Sequence, residues 1–186
     1  MHGLIANQLR SYTLAHHSRE AWTHAVEACG NALPDGPVPL GLTYHDADVM
    51  AVVLALSRET DMEVPVLLEE FGAYLAGGLL RVYHPLVPGA WRTLDVIQHA
   101  EEHIHTAVRL RDSSAGPPYL TASRRSPTSV EVIYTSPRRL CALATGIVHG
   151  MATHYGEVVR VEQPECMLRG DARCLLQVEL LPADAP

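Results

Sequence analysis

Residues 104–138 read IHTAVRLRDSSAGPPYLTASRRSPTSVEVIYTSPR, and the pattern of the chain changes in the middle of them. Up to Arg111 the apolar residues fall at helical spacing. From Tyr119 to Arg124, and again from Ser129 to Thr135, apolar and polar residues alternate, which predicts two strands joined by a turn at Ser126-Pro127-Thr128. The run Ser113-Ser114-Ala115-Gly116-Pro117-Pro118 separates the two regimes, as a Gly/Pro-rich segment should. At the end of the second strand stand Tyr134, Ser136 and Arg138. Strand side chains repeat every two residues, so these three are expected on one side of an extended segment. Three convergent donors, one of them permanently charged, suit a dianionic ligand edge.

Outward from this stretch, everything upstream reads as helix. Helices are predicted over 3–15, 18–29, 47–59, 63–76 and 93–111, the second capped by Ser18 and the fourth by Asp61, with Pro65 in its first turn. Gly77-Gly78 is read as the end of the fourth. Downstream, residues 139–154 return to helix, and 156–163 and 173–181 form two more strands with a turn at Gly170-Asp171. The order is helices, hairpin, helix, hairpin. It predicts an α+β fold: an N-terminal helical lobe, then an antiparallel sheet lobe with a helix packed on it. The 186 residues suit one domain, over 1–181, with 182–186 as a tail.

Composition narrows the function classes. The net charge is −7, and all 14 basic residues other than histidine are arginine. An acidic chain is not built to grip nucleic acid or an anionic membrane, so neither is expected as a partner. No apolar run approaches the roughly 20 residues needed to span a bilayer, and the first residues lack the form of a signal peptide. A cytoplasmic location is the expectation. There Cys29, Cys141, Cys166 and Cys174 are thiols or metal ligands rather than disulfides.

The segment from Ile104-His105 through Gly116-Pro117-Pro118 to Tyr134-Thr135-Ser136-Pro137-Arg138 resembles the H-NOX family of haem-binding gas sensors. The opening Met1-His2-Gly3-Leu4-Ile5 and the helix from Trp22 are similar as well, so the resemblance spans nearly the whole chain. It implies haem b held between the two lobes, with His105 as the iron ligand. Tyr134, Ser136 and Arg138 would hold the propionates, and Pro118 would press on the porphyrin face. Ile5, Leu143 and Ile147 would line the distal side. In oxygen-binding members the position of Leu143 is a tyrosine that donates to bound oxygen. Leucine cannot donate, and a buried hydrogen bond is worth about 0.5–1.5 kcal/mol. The expectation is a sensor of nitric oxide, taking carbon monoxide too, that discriminates against oxygen. The resemblance also implies no catalytic activity in the chain itself and a separate signalling partner, such as a histidine kinase or a cyclic-di-GMP enzyme.

Some members of the family bind zinc through three cysteines and a histidine. Here Cys141, Cys166 and Cys174 are present, but Gln163 stands where the histidine would be. His149, Glu165 and Asp171 are the candidates for a fourth ligand; the alternative is three reduced thiols. Two competing readings follow from other motifs. His99-Ala100-Glu101-Glu102-His103 has zinc-peptidase spacing, with two histidines on one helix face and Glu102 as base. The C-terminal CMLRGDARCLL run is similar to the vinyl-reductase-like domains, which points to a haem-free module that binds a small ligand or senses redox state through zinc or thiols.

Overall fold

The computed structural model describes residues 1–112 and 115–182. Along the chain come α1 (Gly3–His16), α2 (Arg19–Ala28), α3 (Asp46–Glu59) and α4 (Val64–Val82). Next are α5 (Thr93–His99), a π-helical turn (Ala100–His105) and α6 (Thr106–Arg111). Strands β1 (Tyr119–Ser126) and β2 (Ser129–Thr135), helix α7 (Cys141–His154), and strands β3 (Val158–Glu165) and β4 (Cys174–Leu181) complete the order. The strands make one antiparallel sheet, β1-β2-β4-β3. This is the α+β layout the periodicities predict. Of the expected tail, residues 183–186 lie outside the described residues.

Two cores result from two kinds of periodicity. In the helical lobe, Leu9 and Tyr12 of α1, Trp22 of α2, Val52 and Leu56 of α3, and Phe71 of α4 are buried together. In the sheet lobe the alternation of β2 and β4 turns Val130, Val132, Leu176 and Val178 inward against α5 and α7. Ile147 of α7 packs on both cores. Helix α7 is held to α4 at backbone distance. A Cβ on Gly72 would collide with the Leu143 carbonyl, one on Gly146 with the Glu69 carbonyl, and one on Gly150 with the Ala73 carbonyl. Only glycine permits this approach, and it sets the height at which Leu143 and Ile147 stand.

The helices depart from the expected ones in three places. Helix α4 does not stop at Gly77-Gly78 but continues to Val82. Gly78 lies under the Gln8 side chain, where a Cβ would come within 2.8 Å of its Oε1, so packing against α1 overrides glycine's weak helix propensity. Asp61 does not cap α4. It sits in the left-handed region at φ 53°, and Glu63 occupies the N-cap position without a side-chain bond. The single helix predicted over 93–111 is divided by the π turn, where the Thr106 N–H bonds the Glu101 carbonyl. Ser18 does cap α2, accepting from the Ala21 N–H at 3.0 Å.

Candidate functional site

A cavity of about 260 Å³ lies between the helices and the sheet. Its walls are mostly aliphatic, from Leu75 and Leu79 of α4, Val132 of β2 and Leu176 of β4. His105, Pro118, Tyr134, Ser136 and Arg138 all line it. So do Ile5, Leu143 and Ile147. Residues from positions 5 to 147 thus meet around one space, which only the packing of both lobes brings about.

His105 closes the π turn with its side chain 19% exposed. Burial holds the imidazole below its ordinary pKa, against the opposing pull of the Glu101 carboxylate, so the neutral, metal-binding form is favoured. Its Nδ1 lies 3.2 Å from Glu101 Oε2. The same oxygen accepts from the Leu120 N–H at 3.0 Å, and Glu101 Oε1 accepts from Arg109 Nη1 at 2.8 Å. Arg109 Nη2 in turn donates to the Pro118 carbonyl at 3.0 Å.

The polar rim is built differently from the strand reading. Strand β2 ends at Thr135, and Ser136 and Arg138 belong to the turn after it, which Arg139 completes at φ 52°. Tyr134 therefore reaches the cavity through strand alternation, on the face of Val130 and Val132, while Ser136 and Arg138 reach it through the turn. Tyr134 is buried, and burial raises its pKa against the lowering effect of the neighbouring Ser136 hydroxyl and Leu140 backbone. Ser136 Oγ accepts from the Arg138 N–H at 3.2 Å. Arg138 donates from Nε to Asp46 Oδ2 at 2.7 Å and from Nη1 to the carbonyls of Ala115 and Gly116. Asp46 also pairs with the N-terminal ammonium at 2.8 Å.

Behind Tyr134 lie Cys141, Cys166 and Cys174, all buried, with their sulfurs within 4.8 Å of one another. Cys141 and Cys166 are 3.6 Å apart, near the roughly 3.8 Å that two sulfurs span on a tetrahedral zinc with bonds of about 2.3 Å. None of the three expected fourth ligands is free to join them. His149 faces Glu69 at 3.7 Å, Glu165 pairs with Arg173 at 2.9 Å, and Asp171 accepts from the Cys166 N–H at 2.7 Å. Among the described residues the cluster is three sulfurs and no more. His99, Glu102 and His103 also come within 4.8 Å of one another, but outside this cavity. Both imidazoles pack on Trp91.

Two residues of the site escaped the sequence reading. Glu101 stands four residues before His105, and that spacing is itself a signal for a carboxylate–imidazole contact on one helix face. Asp46 carries no such signal, being 92 residues from Arg138.

A family profile described as Haem-NO-binding matches residues 2–163. An H-NOX protein from S. oneidensis in the Fe(II)NO ligation state superposes with a TM-score of 0.88 at 23% identity, over 98% of this chain and 100% of that one. The Fe(II) unliganded H-NOX protein from K. algicida gives 0.86 at 17% identity over 100% of both. A mutant T. tengcongensis H-NOX gives 0.82 at 17% identity, again over 100% of both. At such identities the superpositions speak for the fold alone. No curated protein matches the chain. No described helix is long and apolar enough to cross a membrane.

Proposed function

The chain belongs to the Haem-NO-binding family, that of the H-NOX haem-based gas sensors, and from that premise we propose that it senses nitric oxide, rejects oxygen and signals to a separate protein. Bound in the cavity, haem supplies the iron that takes the gas. The donor set fits such a group: an aliphatic slot, a neutral imidazole on its wall, and a hydroxyl-and-guanidinium rim. His105 would hold the iron, and with Nδ1 turned to Glu101 it has Nε2 left to do so. Tyr134, Ser136 and Arg138 hold the propionates. A carboxylate is a stronger acceptor than a peptide carbonyl, so Arg138 would give up its bonds to Ala115 and Gly116 for propionate oxygens while Asp46 keeps Nε in place. Pro118, on the cavity wall, would lie against the porphyrin. The chain has no Cys-x-x-Cys-His run, so the group is haem b, held without covalent attachment.

Selectivity rests on the leucine at position 143 and its aliphatic neighbours. Leu143, Ile147 and Ile5 offer no donor to a polarised oxygen molecule. Nitric oxide and carbon monoxide need none. Were His105 released from the iron, the π turn that carries it would be free to shift against the sheet, and a partner protein would read the shift. The partner is of the histidine kinase or cyclic-di-GMP enzyme kind, and the chain itself catalyses nothing. Cys141, Cys166 and Cys174 would hold a zinc ion if a partner supplied the fourth ligand, and otherwise stand as three reduced thiols.

The observation that carries this reading is that His105 and the Tyr134-Ser136-Arg138 rim, far apart in sequence, line one apolar cavity. The test is the absorption spectrum of the purified ferrous protein, alone, in air and with nitric oxide. A Soret band that shifts with nitric oxide and not with air is expected. Protein that stays colourless after hemin is added overturns the proposal.

A further inference from the structure

Glu101 stands at the start of the π turn that His105 ends, and three contacts converge on its carboxylate. Oε2 faces His105 Nδ1 at 3.2 Å and the Leu120 N–H of β1 at 3.0 Å; Oε1 takes Arg109 Nη1 at 2.8 Å. Its main chain is held as well. In an uninterrupted α-helix the Glu101 carbonyl would bond the N–H of His105 itself. Here the bond comes from the Thr106 N–H, and Thr106 Oγ1 adds a second at 3.0 Å. Glu101 is thus tied at backbone and side chain to α6 and to the sheet, in a geometry that leaves one lone-pair direction for the imidazole. A surface Glu–His pair at this spacing would be mobile and solvated; this one is half-buried and cross-linked to two other elements.

We propose that Glu101 is the positioning residue for His105: it holds the Nδ1 hydrogen, turns Nε2 to the cavity, and sets how tightly the imidazole grips iron. The inference rests on the reading of His105 as the iron ligand. A neutral imidazole carries a single N–H. A carboxylate takes it in preference to the nearby Pro118 carbonyl, which already accepts from Arg109. With Nδ1–H donated to an anion, Nε2 becomes a more basic ligand, and its bond to iron strengthens. The gas must break that bond for His105 to leave, so Glu101 sets the threshold of the response.

The test compares Glu101→Gln with the natural chain in two states. In ferrous haem-loaded protein, the iron–histidine stretching band by resonance Raman should fall to lower frequency in Glu101→Gln. Haem affinity should drop roughly 10- to 100-fold. In haem-free protein labelled with nitrogen-15, His105 should show its hydrogen on Nδ1 in the natural chain. Unchanged stretching frequency and affinity in Glu101→Gln overturn the inference. So does a haem-free His105 with a bare Nδ1, a measurement that needs no variant and decides the matter if Glu101→Gln does not fold. His105→Gly separates the two ideas. If it retains the histidine band, the ligand assignment itself is wrong; if it loses the band while Glu101→Gln is unaltered, only the role of Glu101 falls.

Discussion

Arg138 donates from Nε to Asp46 Oδ2 at 2.7 Å, joining two residues 92 positions apart. The bond fastens the start of α3 to the turn after β2, and the N-terminal ammonium meets the same carboxylate from the other side. Burial alone would raise the Asp46 pKa; the guanidinium and the ammonium outweigh it and hold the carboxyl below its usual range. The ionised form is therefore favoured by folding. Its stabilisation is present above the unfolded carboxyl's pKa and is lost as pH falls through the folded value. In haem-free protein, the Tm difference between the natural chain and Asp46→Asn should be steady above about pH 5 and close below about pH 4. A difference that persists unaltered into strong acid would contradict this role for the pair.

Arg138→Lys keeps the charge and loses the fork. Lysine cannot bond Asp46 and a propionate from one planar group. The lost charge-assisted bond is worth about 1.5–3 kcal/mol, so haem affinity should fall roughly tenfold to a hundredfold. Transfer of haem to a scavenging apoprotein measures it, and equal transfer rates would remove Arg138 from the propionate rim.

Leu143→Tyr places a hydroxyl on the distal wall. If the missing donor is what excludes oxygen, this variant should bind oxygen about tenfold more tightly for each 1.4 kcal/mol the new bond supplies. Spectra under air check it. Oxygen binding by the natural chain, equal to that of the variant, would refute the selectivity argument.

Gly146→Ala forces a methyl group onto the Glu69 carbonyl at the α4–α7 contact. Overpacking of this kind costs about 1–3 kcal/mol, and the displaced α7 should also widen the cavity beside Leu143. Urea unfolding gives the first effect and the haem absorption spectrum the second. An unchanged urea midpoint would mean that the helices are not pressed together as described.

Zinc content tests the cysteine cluster. Where a partner supplies the fourth ligand, protein purified without a metal-affinity tag should carry about one zinc per chain, and Cys174→Ser should lose it. Without metal, burial pushes the Cys174 thiol up to about 12, so that thiol stays protonated and unreactive at neutral pH. Metal-free natural protein would leave the cluster as three thiols.

Local pattern carried the sequence reading a long way. The switch from helical to alternating periodicity at Gly116-Pro117-Pro118 marks the boundary between lobes, and Ser18, Ser126-Pro127-Thr128 and Gly170-Asp171 announce their own cap and turns through side-chain chemistry and backbone freedom. Family spacing singled out His105, Tyr134, Ser136 and Arg138, and the structure places all four on one cavity. What failed were the features decided by contact. Gly77-Gly78 continues a helix because α1 lies on it, and Glu101 to His105 widens into a π turn that no propensity encodes.

The amino-acid order by itself determined the sequence of helices and strands, and so the α+β layout. Hydrophobic period and local hydrogen bonding act over a few residues, and both are written along the chain. Only the tertiary structure decided that Asp46 anchors Arg138, that Glu101 meets both His105 and Leu120, and that α7 rests on α4 through bare glycine backbone. Those contacts join residues distant in sequence, and the packing of the two lobes is what brings them within bonding range.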